Sequence, residues 1–551
     1  MVAQDNGTIS RRDVLRVGAL AVGAGLTGSF PWSLGRPSEL KAGAASRQRS
    51  SSMTGKQLNV ALYAEPANFD LTVEADRPSK MVSRTIYDTL FYSVPALAGS
   101  KILPGLAEGY EVNSDATVYT LTFRRGVTFH DGTPFDASSV KEYFDRAASP
   151  TRAPKASEFR AYLGPYKGSR LKSEYELVVE FSQPNAAFIN NSTLEVFGIP
   201  SPTAVAKYGS SFGLHPVGTG PFIFESYTPN KSVVLRRNPR YKWGPPIGGL
   251  EGPARVETFT WRIITSVTTQ QAALQSGEIQ VAQDLLPTQM KQLAGSFTNY
   301  NPVGGGVPWG YMVNMTKPPT TELAVRQALL YATNLKQILA VAFDNLYPAA
   351  NSVLTHTMLG HDPTIMYPFD PSKAEHLLES AGWKLGGGGT RAKGGRDLVV
   401  TILIPSGFGF DTSAELLAAQ WQNVGVKTVI DSKPVPYAFT LFGTNAANLF
   451  ANFDFGADPS MLSLLFGSSS PRGARDSGYS SHATDVLLQE GLAAQGARRA
   501  AIYREISHQI MAAGAFLPIH DLVWSFTADR SVRGLAFTFT CYPLFQGTYV
   551  S

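Results

Sequence analysis

The sequence predicts an α/β protein made of more than one domain, and three observations carry that expectation. At 551 residues the chain is too long to bury around a single core. Stretches of period-2 hydrophobic alternation are interleaved with stretches of helical spacing, the pattern that produces layers of helix on sheet. No repeat of about 20 to 50 residues runs along it, which argues against solenoids and propellers.

Leu58 to Leu62 reads as the first strand, ending at Glu65-Pro66. An amphipathic helix follows, with Met81, Ile86, Leu90 and Phe91 as its apolar stripe, and Pro95 to Ser100 reads as a loop. Tyr119, Leu121 and Phe123 alternate with Thr120, Thr122 and Arg124 as a half-buried strand does. Val127 to His130 resumes that strand after Gly126, and Asp131-Gly132 supplies a turn. Asp136 is placed to cap a helix on which Val140, Tyr143 and Phe144 share a face. Strands are expected at Leu177 to Phe181, Phe222 to Tyr227, Val233 to Arg237 and Phe259 to Ile264, with a short helix from Thr268 to Gly277. The run His215 to Phe222 is a rigid Gly/Pro-rich loop. Past residue 306 a fresh α/β unit begins. It has a strand at Tyr311 to Asn314 and one long amphipathic helix from Thr321 to Phe343. Helices are expected at Ser372 to Ala381, Ser413 to Val424 and Arg498 to Ala512, and strands at Leu398 to Leu403 and Val426 to Ile430. Gly386 to Gly389 with Gly394-Gly395 forms a hairpin-like loop before the first of those strands.

Composition narrows the function. The balance of 48 basic to 43 acidic residues is mild, and no dense Lys/Arg block lies outside the N-terminus, so nucleic acid is not expected as a partner. The one cysteine, Cys541, excludes an intramolecular disulfide and a Cys-rich metal site. Ser10-Arg11-Arg12-Asp13-Val14-Leu15 resembles the twin-arginine export motif. A Gly-rich apolar run from Val17 to Leu26 follows it, and Ala42-Gly43-Ala44 offers small residues for cleavage. That run is much shorter than the about 20 apolar residues needed to span a bilayer. Residues 1–44 are therefore read as an export peptide and 45–57 as a Ser-rich linker. With no cysteine near the N-terminus to be acylated, the mature protein is expected to be soluble, exported and not lipidated. Gly23, Gly25 and Gly28 spell a dinucleotide-type GxGxxG, but basic export residues stand where a strand is required, so the match is coincidental.

The rival class is a secreted serine hydrolase. Gly209-Ser210-Ser211-Phe212-Gly213 fits G-x-S-x-G, a motif that acts only at a strained strand-to-helix turn. Here it follows a helical run, Thr203 to Tyr208, and reads as a helix end. His356 and His361, the closest histidine pair, have the wrong spacing for one helical face. No catalytic residue, metal ligand or cofactor is assigned.

The block "YT-x-x-x-R-x-G-V-x-F-H-D-G-T-P-F" between Tyr119 and Phe135 resembles the signature of family 5 of the extracytoplasmic solute-binding proteins, those of peptide- and nickel-type ABC importers. Further elements similar to that family follow in order. They are Pro104-Gly105-Leu106-Ala107-Glu108, Gly218-Thr219-Gly220-Pro221-Phe222, Arg237-Asn238-Pro239-Arg240-Tyr241, Val325-Arg326-Gln327-Ala328-Leu329, Gly382-Trp383 and Asp458-Pro459. The resemblance implies a two-lobed clamshell of type II with an extra domain inserted in the first lobe. The first lobe would comprise 55–91, 190–305 and 518–551, the inserted domain 92–189 and the second lobe 306–517, hinged near 305 and 517. It implies a monomeric periplasmic receptor that is not an enzyme. Such a receptor hands a solute, foremost an oligo- or dipeptide, to an ABC permease after export by the twin-arginine translocase. An opine-like compound, an oligosaccharide or a metal chelate is the alternative cargo. The segments that line the family's cleft contribute Glu65, Trp309, Tyr311, Tyr437, Phe453, Asp454 and Phe455 as candidate ligand-binding residues. Peptide binders of the family carry an aspartate three residues before the acidic residue of the "DP" element, where it pairs with the peptide's amino terminus. Here that place holds Phe455, and Asp454 is one residue off.

If the twin-arginine reading is right, replacing Arg11-Arg12 with Lys-Lys leaves uncleaved precursor in the cytoplasm, as scored by fractionation. Normal export of that variant would count against the route.

Overall fold

A computed structural model of the chain describes residues 57–551 except 74, 97–98, 246, 248–251, 407–408, 442–443, 445 and 471–475. The export motif with Arg11 and Arg12, the neighbouring glycine run and nearly all of the Ser-rich linker lie outside the described residues.

Three sheets organise the chain. The seven-stranded sheet runs in the order Phe297–Tyr300, Phe526–Asp529, Val281–Gln283, Gln57–Leu62, Thr258–Ile263, Ser232–Arg237, Phe222–Thr228. Gln57–Leu62 lies at its centre, parallel to both neighbours and almost wholly buried, Asn59 included, as a central parallel strand covered on both faces is. The five-stranded sheet runs Lys427–Lys433, Val399–Pro405, Leu449–Phe455, Gly306–Val313, Phe516–His520. All eight residues of Gly306–Val313 are buried, because helices cover both faces of that sheet. A four-stranded antiparallel sheet, Ala107–Val112, Val118–Phe123, Glu176–Phe181, Tyr166–Ser173, falls in the chain between the first two segments of the seven-stranded one. Tyr119, Leu121 and Phe123 point into its core as their alternation requires, and the Asp136 side chain accepts from the Ser139 amide to cap Ala137–Ala148.

Several elements differ from the sequence reading. The first helix, Arg77–Ile86, stops before Leu90 and Phe91, and Phe91–Pro95 instead pairs with Ser100–Pro104 in a hairpin. The expected helix from Thr321 to Phe343 is two helices, Leu323–Tyr331 and Leu335–Phe343. The break comes at Asn334, whose side chain caps the second helix through the Gln337 amide while its own amide donates to Gln420 Oε1. Val127 to His130 joins no ladder. It folds back on itself through one bridge, Thr128 to Pro134, so that Val127, Phe129 and Phe135 are all buried. The strand expected at Tyr311 to Asn314 is the longer Gly306–Val313.

Asp88 explains why the first helix ends where it does. Its buried carboxylate accepts from Tyr92 Oη (2.6 Å), Tyr241 Oη (2.8 Å), Thr219 Oγ1 (2.8 Å) and Trp243 Nε1 (3.0 Å). The donors come from three separate segments, and the chain leaves the helix at Tyr87 in extended conformation to meet them. The glycines flanking Thr219 let that loop close on the helix end: a Cβ at Gly218 or Gly220 would stand 2.3 or 2.6 Å from the Ile86 carbonyl oxygen.

Asp88→Ala leaves four buried donors without an acceptor, at about 1 kcal/mol or more each. Chemical denaturation of the variant is expected to show a loss of at least about 3 kcal/mol. A loss under about 1 kcal/mol would remove Asp88 from this role.

Candidate functional site

Two chain segments, 301–305 and 521–525, run between the seven- and five-stranded sheets and touch midway. Val303 and Val523 form an antiparallel bridge, and the Gly304 amide donates to the Leu522 carbonyl at 2.8 Å. The five-stranded sheet keeps the chain through His520, so the second crossing falls a few residues beyond 517. Gly306, where the first segment enters its strand, has φ +144°, and a Cβ there would lie 2.0 Å from the Asp454 carbonyl oxygen.

A cavity of about 560 Å³ is lined by residues from four well-separated stretches of the chain, 77–80, 157–196, 453–470 and 540–542. Arg77 and Lys80 come from the first helix, Glu158 and Tyr162 from the helix Ser157–Leu163, and Glu195 from the turn Glu195–Phe197. Phe453, Asp454 and Phe455 end the strand Leu449–Phe455, and Tyr542 comes from the tail. This volume is within the range of small-molecule sites, about 300 to 1,000 Å³. Most charges in the wall are matched. Lys80 Nζ meets Glu158 at 2.8 Å; burial works against its charge, but the carboxylate lifts its pKa well above the ordinary range. Burial raises the Glu195 carboxyl, and Arg84 at 3.7 Å opposes this only in part. The Arg77 guanidinium instead lies over three rings, 3.5 Å from the centroid of Trp524, 4.2 Å from Phe455 and 4.4 Å from Tyr542.

The structure brings together Phe453, Asp454 and Phe455 of the sequence-predicted set. The other four lie elsewhere. Tyr311 is completely buried in the core of the five-stranded sheet, its hydroxyl 2.6 Å from Ser413 Oγ. Trp309 is in the same core, stacked on Phe410 at 3.8 Å and His520 at 4.8 Å. Both stand on a strand covered on both faces. Glu65 accepts from the Tyr227 hydroxyl and the Asn230 amide and so clamps a hairpin turn of the seven-stranded sheet. Tyr437 is 54% exposed on the short helix Val435–Leu441. Sequence reasoning missed Arg77, Lys80, Glu158, Glu195 and Tyr542. One signal was available: Arg77 and Lys80 are one turn apart on a helix that follows the carboxyl end of a central parallel strand, where ligands of open α/β sheets bind.

Just beyond the cavity strand, the buried Asp458 carboxylate meets Arg499 in two parallel hydrogen bonds of 2.7 Å. Asn190 Nδ2 (2.7 Å) and the Ser460 amide (2.9 Å) complete its shell. Burial alone would raise this carboxyl, but Arg499 more than reverses that and holds it below its ordinary 3.8. Because Asn190 belongs to Phe188–Asn191, the bond ties the helices over the four-stranded sheet to the five-stranded unit, as does the Ala186 amide on the Leu492 carbonyl (2.8 Å). Ser211 is exposed within the single 3₁₀ run Gly209–Leu214, and its hydroxyl donates to the Tyr208 carbonyl; there is no strand-to-helix elbow here. His356 pairs with Asp521 and His361 with Asn351, so the two histidines do not converge. Among the described residues no helix is long and apolar enough to cross a membrane.

Comparison with known proteins agrees with this architecture. The family model "bacterial extracellular solute-binding proteins, family 5 Middle" matches residues 101–471. The glutathione-binding protein GsiB of Salmonella paratyphi A is 32% identical over 333 residues, 60% of this chain and 62% of that protein. The chain thus matches less than two thirds of that relative's length. Among solved structures, NikA from Brucella suis in complex with Fe(III)-EDTA superposes with a TM-score of 0.78 at 20% identity, covering 90% of this chain and all of that one. A dipeptide-binding protein from a Pseudoalteromonas species in complex with Met-Leu gives 0.75 at 20% identity, again over 90% and 100%.

Arg499→Met strands the Asp458 charge in the interior and is expected to cost about 3 to 5 kcal/mol near neutral pH. A group whose folded pKa is depressed contributes above its unfolded value and loses that contribution as pH falls through the folded one. Without Arg499, burial raises the Asp458 carboxyl, so the gap between wild type and variant in chemical denaturation should begin to narrow above pH 3.8 and go on narrowing until the wild-type carboxyl is protonated below it. A gap independent of pH would exclude the pair as its source.

Proposed function

The chain belongs to family 5 of the bacterial extracellular solute-binding proteins, and from that premise we propose that it is a periplasmic receptor. It captures a small solute, foremost a short peptide, between its lobes and delivers it to the membrane subunits of an ABC importer. The observation that carries this reading is the cavity, whose wall is built jointly by the first helix, the helices over the four-stranded sheet, the end of the Leu449–Phe455 strand and the tail. A ligand held by all of them stabilises the closed arrangement, so closure about the 301–305 and 521–525 crossings and binding are one linked equilibrium. The receptor acts as a monomer, is exported by the twin-arginine route without lipidation, and carries out no catalysis.

Asp454 is the proposed partner of a solute ammonium, since it lines the cavity between Phe453 and Phe455. A non-peptide cargo, an opine-like compound, an oligosaccharide or a metal chelate, is favoured by one feature: Phe455, where peptide binders place an aspartate, is an aromatic packed 5.8 Å from Trp524.

Native mass spectrometry of protein recovered from its own periplasm is expected to show a retained solute whose mass assigns its class. Titrating the emptied protein with that solute should raise its melting temperature. Asp454→Asn should weaken binding of an amine-bearing solute by at least about 1 kcal/mol. Unchanged affinity would remove Asp454 from the site.

A further inference from the structure

Among the described residues, the cavity wall holds two cations, Arg77 and Lys80, and Arg77 is the one with no ion-pair partner in contact. Lys80 has Glu158, and behind the wall Arg84 has Glu195. Arg77 forms no ion pair within 4.0 Å among the described residues, although Glu195 and Asp284 are near enough to act on its charge from farther away. Its Nε and Nη2 are shielded from solvent and make no hydrogen bond. Trp524, Phe455 and Tyr542 cover the guanidinium, but ring faces cannot satisfy N–H donors that lie in its plane. What the rings do is hold the planar group in one orientation, so that little freedom remains to be lost when an edge-on, bidentate acceptor arrives. The cage takes Phe455 from the five-stranded sheet, Trp524 from a crossing segment and Tyr542 from the tail, so it is complete only where those parts meet the first helix.

We infer that Arg77 anchors a carboxylate of the captured solute, which makes the cargo an organic acid or the acid end of a zwitterion. The inference rests on the receptor reading and narrows it. A carboxylate fits better than a phosphate dianion, because one unpaired positive charge is available and Glu158, Glu195 and Asp454 share the same wall. With Asp454 opposed to an ammonium and Arg77 to a carboxylate, the cavity suits a molecule that carries both.

The test uses the mature protein and a panel of dipeptides, glutathione and simple hydroxy acids, each beside its carboxamide, read by thermal shift and by tryptophan fluorescence. Free acids should bind at least about tenfold more tightly than their carboxamides, the scale of one charge-assisted bond. That preference should collapse in Arg77→Met and survive in part in Arg77→Lys, which keeps the charge without the fork. Acid binding should also change tryptophan emission in the wild type, because Trp524 stacks on the anchor. Equal binding of acid and amide by the wild type overturns the assignment, as does an acid preference that persists in folded Arg77→Met. Binding of carboxamides alone overturns Arg77 as the anchor and leaves the receptor reading standing. Binding of no panel member, together with no solute retained in native mass spectrometry, takes down both.

Discussion

The arrangement of the first helix depends on one buried carboxylate. Asp88 lies immediately after Arg77–Ile86 and is satisfied only when Tyr92, Thr219, Tyr241 and Trp243 all reach it. A carboxylate taken out of water needs several donors to be tolerated, and the chain supplies them from loops far apart in sequence. The Gly218 to Phe222 and Arg237 to Tyr241 segments, which mark the family, are thereby explained as architecture: they deliver donors and pack against the helix end. With its C-terminal end held in this way, the helix presents Arg77 and Lys80 from its first turn to the cavity.

Charge pairing follows a similar logic through the rest of the site. Asp458 is fully buried beside the cavity strand and has a full shell, a bidentate Arg499, an amide and Asn190. Such a pair adds little net stability over a hydrophobic pair, but removing one partner is expensive, so it specifies the arrangement more than it strengthens it. Asn190 makes that specificity reach across units. Cys541 shows the opposite treatment: its thiol is buried against the Pro302 carbonyl and its pKa is pushed up to about 12, so it stays neutral and unreactive.

The local elements were legible because their signals are local. The alternation of Tyr119, Leu121 and Phe123 and the cap at Asp136 depend on neighbours within a few residues, and both formed as read. The boundaries that failed were set from a distance. Asn334 breaks an otherwise continuous helical pattern because Gln420 takes its amide. Leu90 and Phe91 leave the helical stripe because Asp88 must reach its donors. Of the candidate site residues, the contiguous Phe453 to Phe455 came together at the cavity, since adjacent strand-end residues travel as a unit. Trp309 and Tyr311 carry the same aromatic signal and went into the core, because an aromatic at a strand position does not reveal whether a helix will cover that face.

By itself the sequence determined the α/β class, the succession of most strands and helices, and the family, because hydrophobic period and turn chemistry are written along the chain. Only the tertiary structure decided which charges are paired. Lys80 with Glu158, Asp458 with Arg499 and Arg77 caged among Phe455, Trp524 and Tyr542 join residues up to several hundred positions apart. Coulomb energy and desolvation depend on separation in space and on burial, and neither quantity exists until the chain has folded.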